Sequence, residues 1–141
     1  MVNEFAQQIK FSIRVMVVNG QGDVLLGLKK KGFNANKWIF PGGRLDFGET
    51  VPACGQREVL EETNLQVNIT GLIDIASETQ GQKHCVFINL LATGEGQPEV
   101  TEPHEMIAWQ WFDLKEIPKD TTSSVRNAVE KIKRGQTVSP I

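Results

Sequence analysis

The sequence predicts an α/β domain in which a mixed β-sheet lies between helices. Three observations carry this. Apolar residues alternate through Lys10–Val18 and resume after a glycine-rich turn, the mark of a strand pair. A helix-period segment, Val51–Thr63, follows a short apolar strand and a Gly-Gly pair, so the chain makes one long crossover before its next strands. Two more apolar runs and a final amphipathic stripe complete the order strands, glycine loop, helix, strands, helix. At 141 residues the chain has the size of one domain with its own core, taken as 1–141 with about 1–9 and 136–141 as loose ends.

In Lys10–Val18, Phe11, Ile13, Val15 and Val17 alternate with Ser12, Arg14, Met16 and Val18. This strand starts half-buried and ends apolar on both faces, as in a sheet centre. Asn19-Gly20-Gln21-Gly22 is turn chemistry, so Asp23–Leu28 is expected to return as its hairpin partner. Lys29-Lys30-Lys31 and the following 32–37 form a basic loop around Phe33. Two readings stand for it: a solvated connection, or a mobile loop that meets a polyphosphate through lysine and a base through the Phe33 ring. Trp38–Gly43 is a short strand ending at Gly42-Gly43, where the backbone can bend tightly and approach a ligand.

Thr50 is the expected N-cap of the 51–63 helix, and Pro52 is tolerated in its first turn. Pro52, Ala53, Val59, Leu60 and Thr63 gather into a thin apolar face. Asn64 suits the left-handed position that ends a helix. Gln66–Ile75 and His84–Ala92 read as strands joined by a polar turn, Ser77–Lys83, and Val86–Ala92 is apolar enough on both faces to be central. Thr93–Pro103 is a Gly/Pro/Glu-rich loop, and Ile107–Phe112 is a strand with Trp109 and Trp111 on one face. Asp113–Ile117 reads as a short turn of helix stopped by Pro118. Thr121-Thr122-Ser123 caps a last helix whose core stripe is Val125, Ala128, Val129 and Ile132, and Gly135 ends it.

A formal net charge of −2 argues against duplex nucleic acid as a partner, which calls for a basic surface. Two cysteines, Cys54 and Cys85, do not make a disulfide framework and fit a reducing compartment. No apolar run approaches 18 residues and the first ten residues do not read as a signal peptide, so a cytoplasmic protein with no membrane partner is expected.

The chemistry concentrates in Glu58, Glu61 and Glu62, three carboxylates at i, i+3 and i+4 on one helix face. At an effective dielectric near 20, each such pair costs ~2–3 kcal/mol before screening. Glu61 and Glu62 also stand in the last turn, where the helix dipole disfavours anions. A solvated acidic face is one reading, but no lysine interleaves these acids anywhere between Lys37 and Lys83. A divalent cation would reverse the sign of all three penalties, and oxygen-only ligands select magnesium or manganese.

The stretch Gly42–Leu65, GGRLDFGETVPACGQREVLEETNL, resembles the Nudix box, through Gly43, Glu49, Arg57, Glu58, Val59, Glu61, Glu62 and Leu65. Asn64 stands where the family has glycine, and asparagine can adopt the same backbone conformation. The resemblance implies the family's α/β/α sandwich and a magnesium-dependent phosphoanhydride hydrolase, with manganese as the alternative ion. It places the metal on the Gly42 carbonyl, Glu58, Glu61, Glu62 and Glu105, with Glu102 behind Glu105. It gives proton acceptance to Glu61, with Glu58 or Glu105 behind, and carboxylate orientation to Arg57. Glu49 is split between the metal shell and the helix N-terminus. Arg14, Lys29, Phe33, Gly43 and Arg44 are the residues expected to meet substrate. The implied substrate is a nucleotide, foremost a nucleoside triphosphate cut to monophosphate and pyrophosphate. ADP-ribose or another nucleotide sugar is the alternative, and a non-catalytic nucleotide sensor is the alternative of another class. A homodimer is expected by resemblance alone.

Overall fold

A computed structural model describes residues 8–136 and 139–141. Its elements are β1 (Ile9–Val18), β2 (Val24–Lys29), β3 (Trp38–Ile39), β4 (Gly42–Arg44), α1 (Val51–Thr63), β5 (Val67–Gln80), β6 (Lys83–Gly94), β7 (Met106–Phe112) and α2 (Ser123–Lys133). The strands form one sheet in the order β3-β2-β1-β6-β5, with β4 also pairing β1 and β7 also pairing β2. β1 and β6 are parallel from Ile9↔His84 to Val18↔Thr93, and the other pairs are antiparallel, so the sheet is mixed. The long crossover through α1 is what allows that parallel pair.

The two-residue period of β1 divides the core. Ile13, Val15 and Val17 point to the α1 side with Leu90, Ala92, Cys54, Val59 and Trp109. Met16 points to the other side with Leu26, Phe40, Val125, Ala128 and Val129 of the α2 layer. The result is the expected α/β/α arrangement, and the site lies where α1, the sheet and the N-terminus of α2 meet.

The structure redraws several elements. β1 and β2 share only Val18↔Val24, after which β2 leaves to pair with β7 and β3. The expected strand over 38–43 is broken at Phe40-Pro41. Pro41 has no N–H for a ladder, and its carbonyl instead accepts from Val15 N at 2.9 Å. The 77–83 segment is not a polar turn: Ser77↔Val86, Glu78↔Cys85 and Thr79↔His84 stay in register, and the chain reverses at Gly81 (φ 59°). Polar side chains there sit on a solvated strand end and not in a loop. Asp113–Ile117 is a turn without helix, because the Asp113 side chain takes the Lys115 N–H at 2.8 Å and its carbonyl takes the Glu116 N–H. Of the ends expected to be loose, Ile9 already belongs to β1. Residues 1–7 and 137–138 lie outside the described residues, and Ser139 exchanges two backbone hydrogen bonds with Leu72, at 2.7 and 3.1 Å.

The helix α1 matches its expected caps. Thr50 accepts from Ala53 N, and Asn64 stands at φ 63°, ψ 18° with its N–H on Leu60 O. Its buried face, however, is Cys54, Gly55, Val59 and Thr63, while Leu60 is 42% exposed. Gly55 causes this turn of the helix. A Cβ there would stand 3.1–3.3 Å from Leu90, Val15 and Ile69, so the helix presses on the sheet along that line. At about 100° per residue, Glu62 falls on nearly the same meridian as Gly55.

Candidate active site

That rotation decides where the carboxylates go. Glu62 is drawn inward, and its Oε1 accepts from Gly42 N at 2.9 Å. Burial pushes its carboxyl up to about 8, against the pull of the Gly42 N–H and of Arg14. Glu58 lies one turn earlier, over Gly43, and burial raises its carboxyl too. A Cβ on Gly43 would stand 2.4 Å from the Glu58 carboxyl, so the glycine is the floor on which that carboxylate rests. Gly42 is required for another reason: a Cβ there would come within 2.0 Å of Ile13 O, on the neighbouring strand.

Arg57 organises the rest. Its Nε and Nη2 grip Glu49 at 2.6 and 2.9 Å in a two-point fork. Its Nη1 meets Glu58 Oε1 at 2.9 Å and Glu61 at 3.2 Å, and its Nη2 donates to Arg44 O at 3.3 Å. This fork holds Glu49 well below the usual carboxylate range, at about 2, and the pairing holds the guanidinium firmly charged. Glu49 therefore serves Arg57, a partner that the metal-shell and helix N-terminus readings of it did not include. Beneath the fork, burial pushes the Cys54 thiol up to about 12, an inert small core side chain.

A cleft of about 790 Å³ opens beside these residues. Glu58, Glu62 and Gly42 line it, as do Arg14, Lys29, Phe33 and Glu105 of the expected set. Three expected residues contribute from outside. Glu61 stands off the cleft with its side chain 57% exposed, Gly43 supports Glu58 from below, and Arg44 gives only its carbonyl. Glu105 reaches the cleft, but its carboxylate is on Lys29 Nζ at 3.0 Å and Lys31 Nζ at 3.8 Å. Glu102, the second choice in that loop, also lines the cleft, and its charge acts on both Glu58 and Glu62. Arg14 lies over the Phe87 ring at 5.7 Å and makes no ion pair within 4 Å among the described residues. Burial pulls its guanidinium down while Glu62 and Glu58 oppose this.

Sequence reasoning missed one side of the cleft. Thr122, Ser123 and Ser124 at the start of α2 line it, and Ser124 Oγ donates to Asn89 Oδ1 at 3.3 Å. Asn89 is buried and donates to Asp74 at 2.6 Å, which pairs with Lys131 at 2.7 Å. The visible signal was a lone asparagine inside the apolar run of β6. Trp109 packs in the core and Trp111 Nε1 donates to Gly96 O, so neither lines the cleft.

The donor set fits a hard divalent cation. Glu58 and Glu62 each have one carboxylate oxygen engaged, by Arg57 and by Gly42, and the other without a hydrogen-bond partner among the described residues. Burial raises both carboxyls although Arg57 stands beside Glu58 and Arg14 acts on Glu62, and a divalent cation would offset that cost. As placed, no three acidic, His or Cys side chains among the described residues form a closed metal cage.

Comparison with known proteins agrees with this geometry. A family model described as NUDIX domain matches residues 9–132. An oxidized purine nucleoside triphosphate hydrolase of Danio rerio is 36% identical over 107 residues, which cover 75% of this chain and 68% of that protein. The Mus musculus protein of the same name is 36% identical over 96 residues, covering 67% and 61%. The structure of a MutT NUDIX hydrolase from Burkholderia pseudomallei superposes with a TM-score of 0.81 at 29% identity, covering 89% of this chain and 98% of that one. A match that runs from the first strand into the last helix takes in the whole fold around the cleft, and the chain therefore belongs to the Nudix family of hydrolases.

Proposed function

We propose that this Nudix hydrolase cuts a purine nucleoside triphosphate to its monophosphate and pyrophosphate, with oxidised purines among its substrates and magnesium as its ion. One observation carries the reading. A single cleft is lined by the acids Glu58, Glu62 and Glu102 and by Lys29, Lys31 and Lys37, with Arg14 unpaired. A polyphosphate complements that lysine-rich lining, and a cation bridges it to the acids. The names of the Danio rerio and Mus musculus relatives support the purine and its oxidation.

Magnesium would be held by Glu62, the Gly42 carbonyl and Glu102, which line the cleft, with Glu61 turned in from its exposed place beside Arg57. When bound, the ion would supply charge neutralisation for the phosphate oxygens and a lowered pKa for a water. The chain's own residues do the remainder. A water oxygen bonds to phosphorus, the bridging P–O bond breaks, and pyrophosphate leaves with that electron pair. The water proton passes to Glu58, which is in the cleft, seated on Gly43 and oriented by Arg57 Nη1. The sequence favoured Glu61 for this step, but its side chain stands outside the cleft, which supports Glu58. Lys29 and Arg14 hold the phosphates, and Phe33, 65% exposed at the mouth, offers its ring to the base. Two free thiols fit a reducing compartment, and we assign the enzyme to the cytoplasm.

The test is turnover of a panel with magnesium: canonical and oxidised purine triphosphates, ADP-ribose, and a nucleotide sugar. We expect monophosphate and pyrophosphate from the triphosphates and none with a chelator present. Release of single phosphates, preference for ADP-ribose, or turnover that survives chelation would overturn the reading.

A further inference from the structure

The segment 99–106 is tied at both ends to different walls of the cleft. At one end it caps α1: Thr101 Oγ1 donates to Glu61 O at 2.5 Å and Glu62 O at 3.0 Å, and Glu99 N donates to Thr63 O at 2.9 Å. These are the carbonyls that the last turn of a helix leaves without partners. At the other end it holds the basic loop. Lys30 N donates to Glu105 O at 2.9 Å, Lys30 Nζ reaches Pro103 O at 3.4 Å, and the Glu105 carboxylate takes Lys29 and Lys31. Between them, the N–H groups of Glu105 and Met106 close a turn on Glu102 O, and Met106 anchors that turn in the core.

We propose that Glu105 is a positioning residue: it holds Lys29 and Lys31 over the cleft so that they meet the polyphosphate already placed, while Glu102, three residues earlier on the same strap, serves the carboxylate side. The ion pair is partly exposed, so its weight in folding is small. Its effect falls on binding. A lysine carries much rotamer freedom, and a partner that restricts it before the ligand arrives removes part of the ordering cost. The strap also joins the lysines to the helix of carboxylates through backbone bonds, so the two walls keep a fixed spacing.

This inference rests on the polyphosphate reading, and the experiment separates the two. In Glu105→Gln we expect KM for the triphosphate to rise about three- to tenfold, with kcat within about twofold. Magnesium affinity, read by calorimetry without substrate, should be unchanged. Binding of inorganic pyrophosphate to the metal-free protein should weaken by a similar factor. In a Lys29→Met background the same change should have a smaller effect, because Glu105 then acts through Lys31 alone. A KM that is unchanged or lower overturns the proposal, as does an equal effect in the Lys29→Met background. A large loss of kcat with weaker magnesium binding would make Glu105 a metal ligand and overturn it as well. Absence of triphosphate turnover by the unsubstituted enzyme sinks the substrate reading alone, and pyrophosphate binding then still decides the role of Glu105.

Discussion

Replacing Glu62 with glutamine should make the metal-free protein more stable at pH 8 while destroying its activity. Glu62 is pressed into the wall of the cleft by the Gly55 contact, and its carboxyl is raised to about 8. Against an ordinary 4.5, at ~1.36 kcal/mol per pH unit, ionising it costs the fold up to about 5 kcal/mol. Relaxation and entry of water lower this, and we expect the substitution to return about 1–3 kcal/mol. The sign follows from proton linkage. The folded chain holds this proton more tightly than the unfolded chain, so the penalty is absent below about 4.5 and grows as pH rises toward 8. Glutamine keeps an oxygen for the Gly42 N–H and carries no charge. Urea unfolding followed by tryptophan fluorescence in chelator, at pH 5 and pH 8, reads the difference. The variant should gain on the parent at pH 8 and converge with it near pH 5. Magnesium at a hundred times its dissociation constant should then stabilise the parent by about 2.7 kcal/mol and the variant far less. A variant that is less stable at both pH values, or a gap that ignores pH, would refute the account of Glu62 as a buried anion awaiting a cation.

Other substitutions separate roles within the site. Glu58→Gln should lower kcat at least about a hundredfold at any magnesium concentration, whereas the loss in Glu61→Gln should be partly recovered by more magnesium; equal magnesium rescue of both would reverse the assignments. Gly43→Ala should cost about tenfold or more in kcat with little change in the urea midpoint, because only the mobile end of Glu58 must move. Gly42→Ala should instead destabilise by about 3 kcal/mol or more, because a backbone carbonyl stands in the way; similar midpoints for the two alanines would contradict the close-approach geometry. Arg57→Lys should lose about 2 kcal/mol of stability and most of the activity, since an ammonium cannot grip Glu49 at two points and still reach Glu58. Near-parental turnover in that variant would remove Arg57 from its organising role.

The parts of this fold that were legible in the sequence are those set by local chemistry. Thr50, Pro52 and Asn64 mark α1 to the residue because a cap, a missing N–H and a left-handed turn are properties of single side chains. The i, i+3, i+4 carboxylates and the Gly-Gly pair were equally plain. What failed depended on partners distant in the chain. The hairpin expected from Asn19–Gly22 dissolves after one residue pair, since β1 finds β4 and β6 on its flanks. The 77–83 stretch looked like a turn until β6 supplied a ladder for it. Glu49 and Glu105 had two plausible uses each, and tertiary contacts with Arg57 and Lys29 gave each a partner that neither use included. Thr101 gave no signal, because a hydroxyl that caps a helix 40 residues away has no local pattern.

The orientation of α1 shows why the three glutamates are not equivalent, although the sequence presents them as one acidic face. A helix on a sheet must choose one meridian for its closest approach, and a residue without a side chain sets it. Gly55 places that line about two turns before Glu62, so packing itself drives Glu62 into the wall and leaves Glu58 at the cleft edge. Glu61, roughly 100° further round, stays near solvent with only Arg57 to hold it. Burial then raises the carboxyl of Glu62 against the pull of the Gly42 N–H and Arg14, and that of Glu58 against the pull of Arg57. One helix thus offers a buried anion that gains most from a cation, a cleft-facing carboxylate suited to take a proton, and an exposed one free to adjust. Division of labour among identical side chains is, on this reading, a consequence of how a single glycine seats the helix.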